Sequence, residues 1–336
     1  MIKVGVIGYG YWGPNLVRNF HEAESTSVGV VCDLDNELLE KVQRRYPTIA
    51  TTTSLEQVLN DNSINAVAIA TPISTHFNLA LQALQANKHV LVEKPLADNV
   101  ADCQVLIDEA RERGLTLMVD HTFPYTEAVQ KIKSLIDEGE LGDILYYDST
   151  RVNLGLFQSD VNVIWDLAVH DLSILEYLLG VKPEAVSATG ISHVEGNPEN
   201  MAYLTLHYPG KMIAHIHVNW LAPLKVRQCL IGGSEKMVVY DDTEVTEKVK
   251  VYDKGITVDQ SADSIYEMRV GYRAGDMWVP HLHPGEALAE MVGEFARAIR
   301  EEDTPLTDAE SGMRIVRVME AATESLRKNG EPIGLI

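Results

Sequence analysis

The chain has 336 residues, with Lys+Arg 28 against Asp+Glu 49, a formal charge of -21, 46% hydrophobic residues and three cysteines. This is the composition of an ordinary soluble chain long enough for two domains, each able to bury a core without disulfides or metals. The acidic balance argues against a nucleic-acid binder that works by neutralising phosphates; no run approaches the roughly 18 apolar residues of a membrane span, and the opening MIKVGVIGYG has none of the parts of a signal peptide.

A cytoplasmic protein with no membrane or nucleic-acid partner is therefore expected. Cys32, Cys103 and Cys229 are odd in number and far apart, with no C-x-x-C. Neither a disulfide framework nor a metal site is expected from them.

The first 120 residues alternate short β-branched runs with longer amphipathic stretches, the pattern of βαβ units feeding a parallel sheet. Strands are predicted at Lys3 to Ile7, Val28 to Cys32, Ala66 to Ala70, His89 to Val92 and Thr116 to Val119. Helices are predicted at Leu38 to Arg45, Leu55 to Leu59, Phe77 to Ala86 and Ala101 to Arg113, the last stopped by Gly114. Five such strands make a nearly complete doubly wound domain.

After Asp120 the rhythm changes. A helix at Thr126 to Asp137 precedes strands at Ile144 to Val152, Ala185 to Ser192, Met201 to Tyr208, Met212 to Trp220, Val226 to Ile231 and Lys236 to Tyr240, with a helix at Asp166 to Leu179 among them. Turn signals at Pro209-Gly210 and Gly232-Gly233 imply a largely antiparallel sheet. Two helices follow, Gly285 to Glu301 and Asp308 to Arg327, the second with acids at its start and bases at its end, as the macrodipole prefers. Asp241 to Pro284 gives mixed signals that fit loops, edge strands or a subunit contact. The expected fold class is α/β: a doubly wound parallel sheet over 1–120, then an α+β domain over 121–336 whose sheet is large, open and mostly antiparallel. Its terminal helices are free to pack back on the first domain.

Gly8-Tyr9-Gly10-Tyr11-Trp12-Gly13 follows the first strand and opens a helical stretch, and Asp33 stands twenty residues after Gly13 at the end of the second strand. Gly8 permits the tight turn, Gly10 lets backbone approach a pyrophosphate, and Gly13 allows close packing of helix on strand. The helix N-terminus offers N–H groups to phosphates. Asp33 is placed to accept hydrogen bonds from the adenosine ribose. In Cys32-Asp33-Leu34-Asp35 a 2′-phosphate would meet two carboxylates and no adjacent Arg, which favours NAD over NADP. Arg44 and Arg45 lie farther along the next helix. Thr71, Pro72 and His76 follow the next strand at the same edge and are candidates for the wall of the cofactor cleft, although Thr-Pro after a strand is also ordinary turn chemistry.

Glu93-Lys94-Pro95 ends another strand of this edge, where the nicotinamide is expected. A lysine there can hold a substrate hydroxyl and stabilise developing alkoxide. Asp166 and His170 share one face of the predicted helix, and a histidine beside a carboxylate is a suitable base for an alcohol proton. A lone helical histidine is more often structural, and Asp171 offers surface pairing as a competing account.

Taken in order and spacing, Gly8 to Gly13, Asp33, Ala70-Thr71-Pro72 with His76, Glu93-Lys94-Pro95 and Asp166-x-x-x-His170 resemble the Gfo/Idh/MocA family of sugar and polyol oxidoreductases, essentially end to end. The resemblance implies a Rossmann domain that binds the nicotinamide cofactor and a C-terminal domain that supplies the substrate floor and an oligomer contact. It implies Lys94 as partner of the substrate hydroxyl, His170 as acid/base, Asp166 as the orienting group, and a cis Lys94-Pro95 peptide. Two departures stand out: Thr122, in His121-Thr122-Phe123-Pro124, replaces a frequent Arg, and Glu286-Ala287-Leu288 replaces a frequent Glu-Pro-Leu, which makes substrate contacts less transferable.

A finer resemblance lies in Gly10-Tyr11-Trp12-Gly13-Pro14-Asn15, Trp165 to Asp171 and Asn219 to Arg227, which are similar to bacterial sugar-nucleotide 3-dehydrogenases. It implies NAD-dependent oxidation at C3 of UDP-N-acetylglucosamine or its uronic acid, giving a 3-keto sugar for a partner aminotransferase. A diphosphate substrate on so acidic a protein needs local cations, for which Arg151, Lys225 and Arg227 are the candidates; charges that keep a strand edge soluble are the competing account. A free sugar or inositol dehydrogenase and a non-catalytic NAD-binding sensor are the rival readings. An open sheet face implies a homo-oligomer, dimer or tetramer.

Overall fold

The computed structural model describes residues 1–155, 161–258, 270–302 and 304–335. Two compact units divide the chain: Met1–Thr126 with Gly285–Glu320, and Glu127–Pro284 with Ala321–Ile336. The expected boundary at 120 falls at the end of a strand, six residues short of the first break, and residues 285–320 join the first unit.

In the first unit the strands β1 (Ile2–Ile7), β2 (Thr26–Cys32), β3 (Ala50–Thr52), β4 (Ala66–Ile69), β5 (His89–Glu93) and β6 (Leu117–Asp120) form one sheet in the order β3-β2-β1-β4-β5-β6. Every pairing is parallel. The order reverses between β1 and β4, so the loops leaving the strands open a crevice at one edge, the place where doubly wound folds bind ligands. Strand β3, three residues long, was not among the predicted strands.

Helices fill the crossovers: α1 (Gly13–Glu22), α2 (Asn36–Arg45), α3 (Leu55–Asn60), α4 (His76–Gln85) and α5 (Val100–Arg113). Their ends are set by local chemistry. The side chains of Asp35, Ser54 and Asn99 accept from backbone N–H groups in the first turns of α2, α3 and α5, and Gly114, with φ +64°, closes α5. Strands β1 and β4 are buried on both faces, as a covered parallel sheet requires.

Late in the chain, α8 (Ala287–Ile299) completes this unit's core. Leu288, Met291, Val292, Phe295 and Ala296 are buried with Leu16, Val17 and Phe20 of α1, and the Phe20 and Phe295 rings meet edge to face at 6.2 Å. Glu286, just before α8, accepts from Arg18 and from Asn19 of α1. The acid of the Glu-Ala-Leu segment thus anchors the helix that carries the glycine loop.

The second unit is built on a nine-stranded sheet. Its strands are β7 (Ile144–Leu154), β8 (Ala185–Ile191), β9 (Met201–His207), β10 (Ile213–Asn219), β11 (Leu221–Gly233), β12 (Met237–Asp241), β13 (Val249–Val258), β14 (Val270–Trp278) and β15 (Ile333–Gly334). Their order is β14-β13-β12-β11-β7-β10-β9-β8-β15. Only the β7–β10 pair is parallel among the described pairings. Its helices include α6 (Glu127–Asp137) and α7 (Val169–Leu179). The ambiguous stretch 241–284 contributes the strands β13 and β14, while its residues 259–269 lie outside the described residues. Helix α9 (Ala309–Arg327) runs through the division between the units. No helix among the described residues is long and apolar enough to cross a membrane.

Candidate active site

The glycine loop is shaped by collisions that only glycine avoids. Gly8 has φ +92°, and a Cβ there would lie 2.4 Å from the Ala70 carbonyl oxygen; one on Gly13 would lie 2.2 Å from the Gly8 carbonyl oxygen. Gly10 is different, because nothing stands within 4 Å of its Cβ position. Open space above this backbone, at the start of α1, is what a pyrophosphate needs. The residues present therefore fit a dinucleotide.

Asp33, half-buried after β2, binds this loop directly: its Oδ2 accepts from Tyr9 N at 2.6 Å and its Oδ1 from Asp35 N at 2.9 Å. The carboxylate is held in place and still partly accessible, as a ribose partner must be. Tyr11 is 94% exposed, and Trp12 is half-buried with its indole N–H turned to another partner.

That partner is Asp120, at the end of β6, whose Oδ2 accepts from Trp12 Nε1 at 2.6 Å and whose Oδ1 accepts from Thr122 Oγ1 at 2.8 Å. Sequence reasoning missed Asp120, although a carboxylate ending a strand of this edge was the available signal. Burial pushes its carboxyl up, against the pull of Trp12, Thr122 and the nearby Lys94 ammonium. Glu93 pairs with Asp120 in the β5–β6 register, which brings Lys94 beside Asp120 and His121. Lys94 itself is half-buried, and the Lys94-Pro95 peptide is cis.

His76 is buried and braces the edge from below. Its Nδ1 lies 2.8 Å from Pro95 O and its Nε2 2.8 Å from Thr71 O, so the ring ties the loop after β4 to that after β5. Burial lowers its pKa although both carbonyls favour the charged form. The role expected for His76 as cleft wall thus becomes one of holding two wall loops together. Thr71 shares a hydrogen bond with Thr75 at 2.7 Å, Pro72 is exposed and Glu93 is half-buried.

The second unit holds Asp166 and His170. Asp166 lies in a widened π turn, Ile164–Ala168, that leads directly into α7, where His170 sits in the first turn. Such turns are uncommon and cluster at functional sites. Both side chains are half-buried among buried neighbours, and Asp166 Oδ2 accepts from Trp220 Nε1 at 2.9 Å.

The three candidate substrate cations part company here. Arg151 is in the interior of β7, a central strand flanked by β11 and β10, with side-chain exposure of 3% against 2% for its partner Asp171. Arg151 Nε donates to Asp171 Oδ2 at 2.6 Å and Nη2 to Oδ1 at 3.3 Å. Burial pulls the guanidinium pKa down, and the charge of Asp171 more than restores it. The expectation that Arg151 offers charge to a diphosphate is therefore corrected, as is that of surface pairing for Asp171: the two are one buried ion pair. Arg227 donates to Asp242 at 3.1 Å, while Lys225 is exposed where the β11 register shifts.

Among the described residues no group of three or more His, Cys, Asp or Glu is placed to hold a metal ion. All three cysteines are buried thiols.

The sequence matches the family model described as "Oxidoreductase family, NAD-binding Rossmann fold" over residues 2–121 and the GFO/IDH/MocA C-terminal domain over 129–239. It is 28% identical to scyllo-inositol 2-dehydrogenase (NADP(+)) IolW of Bacillus subtilis, covering 97% of this chain and 94% of that one. It is 26% identical to 2,7-anhydro-N-acetylneuraminate hydratase of Escherichia coli, covering 97% and 95%. The structure is similar to that of UDP-N-acetylglucosamine 3-dehydrogenase GnnA from Acidithiobacillus ferrooxidans, with a TM-score of 0.80, 25% identity and coverage of 97% and 98%. With a glycine loop open to a pyrophosphate, a carboxylate fixed at the end of β2 and both family models matched in order, the chain belongs to the Gfo/Idh/MocA family of NAD-binding oxidoreductases.

Proposed function

We propose that the protein is an NAD-dependent dehydrogenase that oxidises the C3 hydroxyl of a nucleotide-linked amino sugar, UDP-N-acetylglucosamine or its uronic acid, to the 3-keto sugar. The observation that carries this reading is the presence of two sets of groups with the right chemistry: Lys94 on the cofactor edge, and Asp166 with His170 on a widened turn. A protein that only sensed the dinucleotide would need the first unit alone.

NAD, held by the glycine loop and Asp33, would supply the acceptor for the hydride that leaves C3. His170 takes the hydroxyl proton as the C–O bond becomes a carbonyl, and the Lys94 ammonium stabilises the negative charge that develops on that oxygen. Asp166, oriented by the Trp220 indole, positions substrate or histidine. Lys225 and Arg227 are the cations offered to the diphosphate, Arg227 with part of its charge already met by Asp242. The similarity to the UDP-N-acetylglucosamine 3-dehydrogenase over nearly the whole of both chains supports this choice of substrate. The product is a ketone of the class an aminotransferase consumes, and the reading includes a homo-oligomer, dimer or tetramer, in the cytoplasm.

The test is NADH absorbance when protein and NAD are supplied in parallel with UDP-N-acetylglucosamine, its uronic acid, myo-inositol and glucose. Growth of the band with a UDP sugar, abolished in Lys94→Ala, is expected. A response to the free polyols alone would move the substrate to a free sugar or inositol, and an unchanged rate in Lys94→Ala would overturn the role of the lysine.

A further inference from the structure

Asp166 lies in the widened turn Ile164–Ala168, a rare conformation that persists only where its surroundings hold it. Three residues of the same unit supply that hold: Asn162, Glu199 and Trp220. Asn162 is buried at the entrance of the turn, where its Oδ1 accepts from Ile164 N at 3.1 Å and its backbone O from Trp165 N at 3.2 Å. Its Nδ2 donates in turn to Glu199 Oε2 at 3.2 Å, and Val163 N donates to Glu199 O at 2.9 Å. The half-buried Glu199 thus grips both residues that lead into the turn, one by its side chain and one by its backbone.

The carboxylate inside the turn is tied to the same place by another route. Asn200 O, next to Glu199, accepts from Trp220 N at 3.0 Å, which carries the β9–β10 pairing one residue past Met201 and Asn219. Trp220 is 1% exposed, and its indole N–H donates to Asp166 Oδ2 at 2.9 Å. The indole packs against the backbone of Gly155 after β7, where a Cβ would come within 2.6 Å of Trp220 Cδ1, and Gly155 N donates to Trp220 O at 3.0 Å. These contacts close a ring: Glu199 through Asn162 to the start of the turn, and Asn200 through Trp220 to Asp166 within it. His170 follows in the first turn of α7, so a shift of the widened turn would displace both groups together.

We propose that Asn162, Glu199 and Trp220 are positioning residues of the dehydrogenase, a frame that fixes the Asp166 carboxylate and the start of α7 and so aims Asp166 and His170 at the reacting hydroxyl. The three act through Asp166 and the turn, with no contact to substrate required. This inference rests on the roles proposed above for Asp166 and His170 and not on which sugar carries the hydroxyl.

Two readouts decide it. With 5-fluorotryptophan incorporated, the chain's four tryptophans report by fluorine NMR, and Trp220→Phe identifies the signal of Trp220. Asp166→Asn and Glu199→Ala are each expected to shift that signal, whereas Glu199→Gln, which keeps the oxygen that Asn162 donates to, is expected to restore it. NADH absorbance with whichever of the sugars named above is oxidised gives the second readout. Glu199→Ala is expected to lower kcat about five- to tenfold, the worth of one hydrogen bond, with KM for the sugar held within about twofold because the loss falls on alignment rather than binding. Glu199→Gln should recover most of that kcat. A Trp220 signal unmoved in Glu199→Ala would show that the frame is not coupled to Asp166, and a lower Tm with unchanged kcat would make it merely structural; each overturns the proposal. Oxidation of none of the sugars by the unaltered protein would overturn the proposed reaction, and the positioning role with it, even with the fluorine shifts intact.

Discussion

Replacing Arg151 with methionine separates two meanings of a buried cation. In the structure Nε and Nη2 of its guanidinium both donate to Asp171, at 2.6 and 3.3 Å, and its polar neighbours include Cys229, whose thiol lies 3.8 Å from Asp171 Oδ1, and Tyr147, 3.0 Å from that thiol. Arg151→Met leaves the Asp171 carboxylate in the interior without its cation, beside the weak donor of the Cys229 thiol. Breaking one side of a buried pair typically costs about 3 to 5 kcal/mol. In a unit of roughly 150 to 250 residues each kcal/mol lowers Tm by about 2 to 4 °C, so a drop of about 6 to 20 °C is expected by calorimetry or circular dichroism. Removing both charges in Arg151→Met/Asp171→Leu should recover most of it, since a well-packed apolar pair replaces an ion pair at little cost. Arg151→Lys should fall between, because an ammonium cannot reproduce the two-pronged contact. A variant that melts within about 2 °C of the unaltered protein but raises KM for a UDP sugar would refute this reasoning and return Arg151 to the substrate.

Two further outcomes follow from groups in the first unit. Burial and the Lys94 charge push His121 down to about 3, below the ~6.5 of an unfolded histidine. Its contribution to stability is therefore present above about pH 6.5 and is lost as pH falls toward 3, amounting to roughly 2 kcal/mol between pH 7 and 5. Denaturant titrations should show that this loss is smaller by about that amount in His121→Phe, and an identical pH slope in both proteins would refute it. Gly13→Ala places a methyl 2.2 Å from the Gly8 carbonyl oxygen. The glycine loop must shift at a cost of about 1 to 3 kcal/mol, visible as a lower Tm and at least a tenfold weaker NAD+ binding; unchanged binding would show that the loop's shape does not matter to the cofactor.

Much of this site is legible from local sequence because its logic is local. The glycine spacing, Asp33 and the strand ending in Glu93 each carry their reason within a few residues, and the alternation of short apolar runs with amphipathic stretches places them all on one sheet edge. Arg151 shows where that stops. Its neighbours in sequence read as an ordinary alternating strand, and only the pairing of β7 with both β11 and β10, in one case parallel and across 67 residues, makes the strand central and its arginine interior. Asp120 and His121 gain their meaning likewise from the β5–β6 register, which sets them beside Lys94. Strands β3 and β15, at three and two residues, are too short for any periodicity to register.

The late arrival of α8 has a consequence for how the protein is made. The nucleotide-binding unit buries Phe20, Leu16 and Val17 against residues that lie beyond the whole of 127–284. A ribosome adding about 5 to 20 residues per second therefore leaves that apolar face of α1 uncovered for roughly 8 to 30 s after residue 126 has been added. During this interval the nascent glycine loop hangs on a helix without its packing partner, so chaperone occupancy should concentrate on α1, and acquisition of dinucleotide affinity should be among the last events of synthesis.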